Sequence, residues 1–226
     1  MKDSANVTQA LTTLYQRDDW LLRLNFQALL HLSGLTRLSR EAELLDCGCA
    51  VGHFMGLLAR HGFRRVQGLD AAPDMAARAR AATGLPVVAA DALEMGRHFP
   101  PASLDALTAM NLQHHLGREQ EWEAFLRECA RLLRPGGMLF VREPWMTPAM
   151  GLLWWMSRRP LFFRVGLLRG RLQSLVEERE LLGYFLQQWP AVYREQLVRQ
   201  GFRVERDLSW MGHRIVAARR VASGEG

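Results

Sequence analysis

The chain is poor in cysteine and lacks long apolar runs and repeats, and each shortage excludes something. Three cysteines occur in 226 residues. Cys47 and Cys49 flank one glycine, and Cys129 stands alone in a helical pattern. An odd count without a second Cys/His pair at zinc spacing excludes a disulfide framework and a zinc finger, and a reducing cytosol is the expected compartment. No stretch reaches the ~18 apolar residues that a membrane span needs. The opening "MKDSANV" carries Asp3 and no apolar core of signal-peptide length, so no secretion signal is read there. There is no internal repeat and no low-complexity tract, and disorder is expected only at "MKDSANV" and "VASGEG".

What is present fits one folded domain. Hydrophobic residues make up 49% and charged residues 23%, an ordinary balance for a packed protein of this length. The formal charge of +6 reads either as an arginine-rich solvated surface or as a basic face for phosphate, anionic lipid or RNA.

Apolar periodicity lays out the elements. Residues 8–32 repeat at helical spacing and read as one or two covering helices, so 1–40 form an N-terminal cover. Five short strands follow, "AELLDCG", "RRVQGLD", "PVVAAD", "SLDALTAMNLQ" and "MLFVREP", separated by the helices "GHFMGLLARHG", "APDMAARARAATG" and "EQEWEAFLRECARLLRPGG". Strands alternating with helices predict a parallel α/β sheet wrapped on both faces over 41–143. Residues 144–200 break the rhythm and are expected to form a helical lid over the pocket. "GFRVERDLSWMGHRIVAARR" closes the chain as a hairpin over 201–220, turning near Gly212.

Ligands of such sheets bind at the carboxyl ends of the strands. The first turn reads Asp46-Cys47-Gly48-Cys49-Ala50-Val51-Gly52. Its small residues miss the G-x-G-x-x-G spacing of a dinucleotide site. A carboxylate at its mouth would repel a pyrophosphate and favour a cation. S-adenosylmethionine has an ammonium, a sulfonium and no phosphate, and suits such a turn. Asp70 ends the second strand and can accept both ribose hydroxyls. Asp91 ends the third and could take the adenine amino group. Each of these acids could instead be an ordinary strand-end or helix-capping carboxylate.

With "LLDCGCAVGHF", "VQGLDAAPDMAARAR", "AADALEM…FPPASLDALTAMNLQHHL" and "FLRECARLLRPGGMLFVREP", the chain resembles the class I S-adenosylmethionine-dependent methyltransferases of the bacterial small-molecule branch. The resemblance covers about residues 40–145 and the closing hairpin. It implies a Rossmann-like doubly wound sheet of order 3-2-1-4-5-7-6, with strand seven antiparallel and a helical lid inserted. It also implies a cofactor site made of Asp46, Gly48, Cys49, Ala50, Gly52, Asp70, Ala71, Met75, Asp91, Ala92 and Asn111. Ala50 departs from the family's usual glycine, and is acceptable if its φ stays negative.

Methyl transfer needs alignment and exclusion of water, and a hydroxyl acceptor gains from a base. Candidates should follow strands four and five. His114 and His115 do so, and His115, next to Leu116, matches the family's frequent His-Leu position. Either histidine could merely pack beside the cofactor. Glu143 could orient substrate or act as a second base, and Tyr15 could close over the methyl group. Both also have plain structural readings. The chain has no Asn/Asp-Pro-Pro-aromatic motif, no Pro-Cys nucleophile and no carboxylate cluster after strand four. Base-amine, cytosine C5 and magnesium-catechol chemistry are therefore not expected, and a metal-independent reaction is.

"PAMGLLWWMSRRPLFFRVGLLRGRL" sets Trp154 and Trp155 before Arg158, Arg159, Arg164, Arg169 and Arg171, with no acid until Glu177. It reads as a lid over an apolar acceptor, as a segment skimming an anionic membrane from its inner face, or as an RNA-binding face. Trp145, Trp154 and Arg158 are the substrate candidates. The expected activity is O-methylation of a small molecule or of a lipid-linked or glycan acceptor. The alternatives are an RNA methyltransferase, with nucleic acid the weaker partner class, and a cofactor-binding protein without turnover.

Overall fold

Short apolar runs become the central strands, because a parallel sheet covered on both faces buries both sides of each run. The computed structural model describes residues 20–145, 147–159, 176, 179–210 and 212–222. Strands β1 (Glu43–Cys47), β2 (Arg65–Asp70), β3 (Val87–Ala89), β4 (Leu104–Met110), β5 (Leu133–Pro144), β6 (Phe202–Trp210) and β7 (His213–Arg220) form one sheet of order β3-β2-β1-β4-β5-β7-β6. β1 to β5 pair in parallel, and β7 runs antiparallel to both β5 and β6. This is the order and direction that the resemblance implied.

Residue parity within the strands assigns the two faces. Leu44, Val66, Ala106, Phe140 and Ile215 turn to α1 (Trp20–Ser33), α2 (His53–Arg60) and α3 (Pro73–Thr83), which contribute Phe26, Leu29, Leu30, Phe54, Met55 and Ala79. Leu45, Leu69, Leu107, Leu139 and Val216 turn to α4 (Glu119–Leu132) and α6 (Arg179–Arg199), which contribute Trp122, Phe125, Phe185, Tyr193 and Leu197. The expected lid is thus divided. α6 is a layer helix in the core, and α5 (Pro148–Met156) stands at the end of β5.

One boundary differs from the sequence reading. The helix expected to run to Pro-Gly-Gly closes at Leu132, and β5 begins at Leu133 rather than Met138. Arg134 precedes Pro135 and is steered away from helical geometry, so the helix stops short of it; Leu133 is already extended (φ −71, ψ 140) and pairs with Leu104 before a register shift. Tyr15 and the rest of residues 1–19 of the N-terminal cover lie outside the described residues, as do Arg164, Arg169 and Arg171.

Candidate active site

The turn after β1 is closed by its own backbone. Gly48 and Cys49 both donate N–H to the Leu69 carbonyl, at 2.8 and 3.0 Å, and Gly52 donates to Cys49 at 2.8 Å. The Ala50 N–H is held by Asp70 Oδ2 at 2.8 Å. Phosphate-binding turns aim such donors at the ligand. Here four are engaged within the protein, so the turn fits a cofactor that asks little of backbone donors. A Cβ on Gly48 (φ 72) would lie 2.9 Å from Leu112 Cδ1, so its absence lets the loop after β4 close over the turn. Gly52 (φ 84) brings the start of α2 onto α3, where a Cβ would meet Thr83 Cγ2 at 2.9 Å. Its role in the structure is packing.

Two expectations are corrected at this turn. Ala50 has φ +48, not a negative value. The turn imposes left-handed geometry whether or not glycine is present, because the Ala50 N–H must reach Asp70. Asp46 does not stand at the mouth. It is 2% exposed within β1, and Thr108 Oγ1 donates to its Oδ1 at 2.7 Å. Burial pushes its pKa up to about 7 against the opposing Thr108 bond, and the Asp70 carboxylate raises it further. That mutual influence puts Asp46 and Asp70 in one electrostatic neighbourhood. Asp46 is a shielded acid whose ionisation a nearby cation would favour.

Asp70 is more open. Its two oxygens accept from Ala50 and Ala72 N–H, at 2.8 and 2.9 Å, which fixes the carboxylate plane and leaves acceptor capacity on each oxygen. Burial still raises its pKa, the two backbone bonds opposing. Asp91 is exposed and uses Oδ1 to cap the 3-10 turn Ala92–Arg97 through Leu93 N–H at 2.8 Å. The capping reading therefore holds for that oxygen. Ala71 is exposed at the tip after β2, while Cys49, Met75 and Ala92 are buried around the same strand ends. All three cysteines are free and buried, and burial pushes their thiols well up, so none is a nucleophile.

Asn111, directly after β4, is a left-handed residue (φ 55) whose Oδ1 accepts from the buried Arg142 at 2.9 Å. A 3-10 turn, Gln113–His115, follows. Glu143, fully buried at the end of β5, holds it. Oε1 accepts from Leu112 and Gln113 N–H, at 2.8 and 2.7 Å, and Oε2 pairs with His114 Nδ1 at 2.8 Å. Trp122 Nε1 fastens the turn from α4 by donating to the Gln113 and Leu116 carbonyls, and Gln113 Nε2 donates to Tyr193. With three donors on it, Glu143 positions the loop and is not placed as a second base. His114 is buried, and its ring lies 4.1 Å from that of His115. His115 is exposed on its outer side. Crowding by the protein and the neighbouring His114 hold it neutral, well below the usual histidine value.

Of the substrate candidates, Trp145 sits at the end of β5 with the Arg214 guanidinium 4.2 Å from its ring centre. Trp154 is half-buried in α5, and Arg158 is exposed just beyond it. Thr108 and Arg142 were missed by sequence reasoning. Both are polar residues inside otherwise apolar central strands, which was the available signal. Among the described residues no group of three His, Cys, Asp or Glu side chains is placed to hold a metal ion.

The sheet order is that of the class I S-adenosylmethionine-dependent methyltransferase fold, and the carboxylates of Asp46 and Asp70 beside the turn after β1 would suit a cationic cofactor of that kind. Residues 45–141 match the family described as "Methyltransferase domain". The ubiquinone biosynthesis O-methyltransferase of Xanthomonas campestris pv. campestris is 35% identical over 112 residues, 48% of this chain and 45% of that protein. The 2-methyl-6-phytyl-1,4-hydroquinone methyltransferase of Synechocystis is 30% identical over 119 residues, 51% of this chain and 36% of that protein. The chain thus spans less than half the length of these relatives. In structure it resembles the N-methyltransferase NodS of Bradyrhizobium japonicum, solved with S-adenosyl-L-homocysteine. The TM-score is 0.62 at 18% identity, covering 95% of this chain and 98% of that one.

Proposed function

We propose that the protein transfers a methyl group from S-adenosylmethionine to a hydroxyl of a small organic acceptor, without a metal, with His115 as the proton acceptor. The observation that carries this is a turn whose N–H groups are already engaged, two carboxylates beside it, and His115 exposed in the 3-10 turn that follows β4. The cofactor supplies an electrophilic methyl carbon. Asp70 would hold its ribose and Asp46 would lie near its cationic end. Glu143 fixes His114, the His114 ring packs at a tilt against His115, and the exposed side of His115 passes the hydroxyl proton to water. The oxygen acceptor is also supported by the O-methyltransferase name of the Xanthomonas relatives. A lipid-linked or glycan molecule is the finer acceptor class.

The test is incubation with methyl-labelled cofactor and separation of metabolite, lipid, glycan and RNA fractions. Label in a small-molecule, lipid or glycan fraction, lowered by about 100-fold or more in His115→Asn while S-adenosyl-L-homocysteine still binds, is expected. Label confined to RNA overturns the acceptor class. Binding of S-adenosyl-L-homocysteine with no label in any fraction favours a binding protein without turnover.

A further inference from the structure

We propose that α5 and the β6–β7 turn form a docking face for an anionic lipid bilayer, presenting the cofactor end of the sheet to the membrane. This rests on the methyltransferase reading only for its purpose, since the surface is defined without it. α5 exposes Leu152 (58%) and Trp155 (48%), three residues apart and so on one helix side. Arg158 and Arg159 follow at once, both exposed, and the Arg159 guanidinium lies 5.1 Å from the Trp155 ring centre.

A third large apolar side chain, Trp210 (39% exposed), stands at the end of β6. The turn beyond it meets α5. Gly212 approaches Met150, whose Cε would lie 3.2 Å from a Cβ placed there, and its carbonyl accepts from Trp145 N–H at 2.9 Å. The pairing of Pro144 and Trp210 with His213 puts this turn beside the carboxyl end of β5. β1 and β4, parallel to β5, end there too, with Asp46 and the His114–His115 turn. The elements that carry these exposed apolar side chains therefore meet beside the strand ends of the site.

Charge decides the occupant. Among the described residues from 144 to 159 there is no acid, while Arg158 and Arg159 are both exposed. Tryptophan and leucine entering at headgroup depth beside arginines suit an interface of anionic lipid. No helix among the described residues is long and apolar enough to cross a membrane, so the contact is peripheral. An acceptor with an apolar tail could then be taken from the bilayer surface without crossing water.

The test is co-sedimentation of the full chain with vesicles of phosphatidylcholine containing phosphatidylglycerol, beside pure phosphatidylcholine and an RNA control, at low and at high salt. Binding to the anionic vesicles at low salt is expected, falling with salt. It should weaken roughly ten-fold or more in Leu152→Ser/Trp155→Ser and several-fold in Arg159→Ala. Binding of S-adenosyl-L-homocysteine should be unchanged in these surface variants, which checks folding and separates loss of docking from loss of the cofactor site. No binding to anionic vesicles at low salt, equal binding to neutral ones, preference for RNA, or variants that bind as the parent does would each overturn the proposal.

Discussion

Replacing Asp46 by asparagine keeps the shape of the side chain and removes its ionisation. Thr108 can still donate to the amide oxygen, while the backbone bond from Met55 loses its acceptor, so the charge is read from the pH dependence of the difference and not from its size at one pH. Burial raises the Asp46 pKa from 3.8 to about 7. The folded chain therefore holds this proton more tightly than the unfolded chain does. The stability that follows is fully present below pH 3.8 and is lost as pH rises through about 7. The difference corresponds to about 4 kcal/mol at ~1.4 kcal/mol per pH unit. Roughly 2.5 kcal/mol of that loss falls between pH 5 and pH 8. Asp46→Asn escapes it. Thermal unfolding without cofactor should show the variant gaining on the parent across that interval by ~5–10 °C for a domain of this size. Cofactor affinity should move the other way. A cation beside Asp46 favours the ionised form, so the parent should bind S-adenosylmethionine more tightly as pH rises from 5 to 8, and the variant should bind weakly at both. A stability difference that does not change between the two pH values would refute the account of Asp46 as a buried, titrating acid.

Other outcomes follow from the same geometry. Ala50→Gly relieves the left-handed backbone at φ +48 and, after the entropy glycine loses on folding, should stabilise the chain by about 0.5–1 kcal/mol in denaturant titration. Gly48→Ala should cost roughly 1–2 kcal/mol and weaken S-adenosyl-L-homocysteine binding in calorimetry, since the new methyl group meets Leu112 at a left-handed position. Glu143→Gln removes a carboxylate that holds three buried donors and should destabilise by about 2–3 kcal/mol, with turnover falling more than cofactor affinity. His115 has a folded pKa below its unfolded one, so its contribution to stability is present above about pH 6.5 and falls as the solution becomes more acidic. His115→Asn should flatten that acid limb, and the parent's rate should show no histidine step between pH 6 and pH 8.

The strand ends were legible in the sequence because Asp46, Asp70 and Asp91 each close a short apolar run, and a parallel sheet brings such closures to one edge. Depth and hand were not legible. Asp46 looks like a rim residue until the register places Thr108 directly across from it. The sign of φ at Ala50 depends on where Asp70 sits, a partner 20 residues away. The roles of Arg142 and Glu143 follow from parity, which sends one side chain to Asn111 and Phe26 and the next to the His114 loop. That parity could be counted only once β5 was seen to continue without a break through Glu143. The double character of 144–200 was hidden because apolar spacing does not distinguish a layer helix such as α6 from an exposed one such as α5.

The bend after β1 is a socket shaped before anything enters it. Gly48, Cys49, Ala50 and Gly52 direct their N–H groups inward to Leu69, Asp70 and Cys49, so an incoming molecule finds few donors there. A competitor that extends adenosine with acidic oxygens would gain nothing from this bend and would meet two carboxyl groups. One with a permanent positive charge on the 5′ side would draw the proton off Asp46 as it bound, and its grip would therefore tighten in alkaline solution.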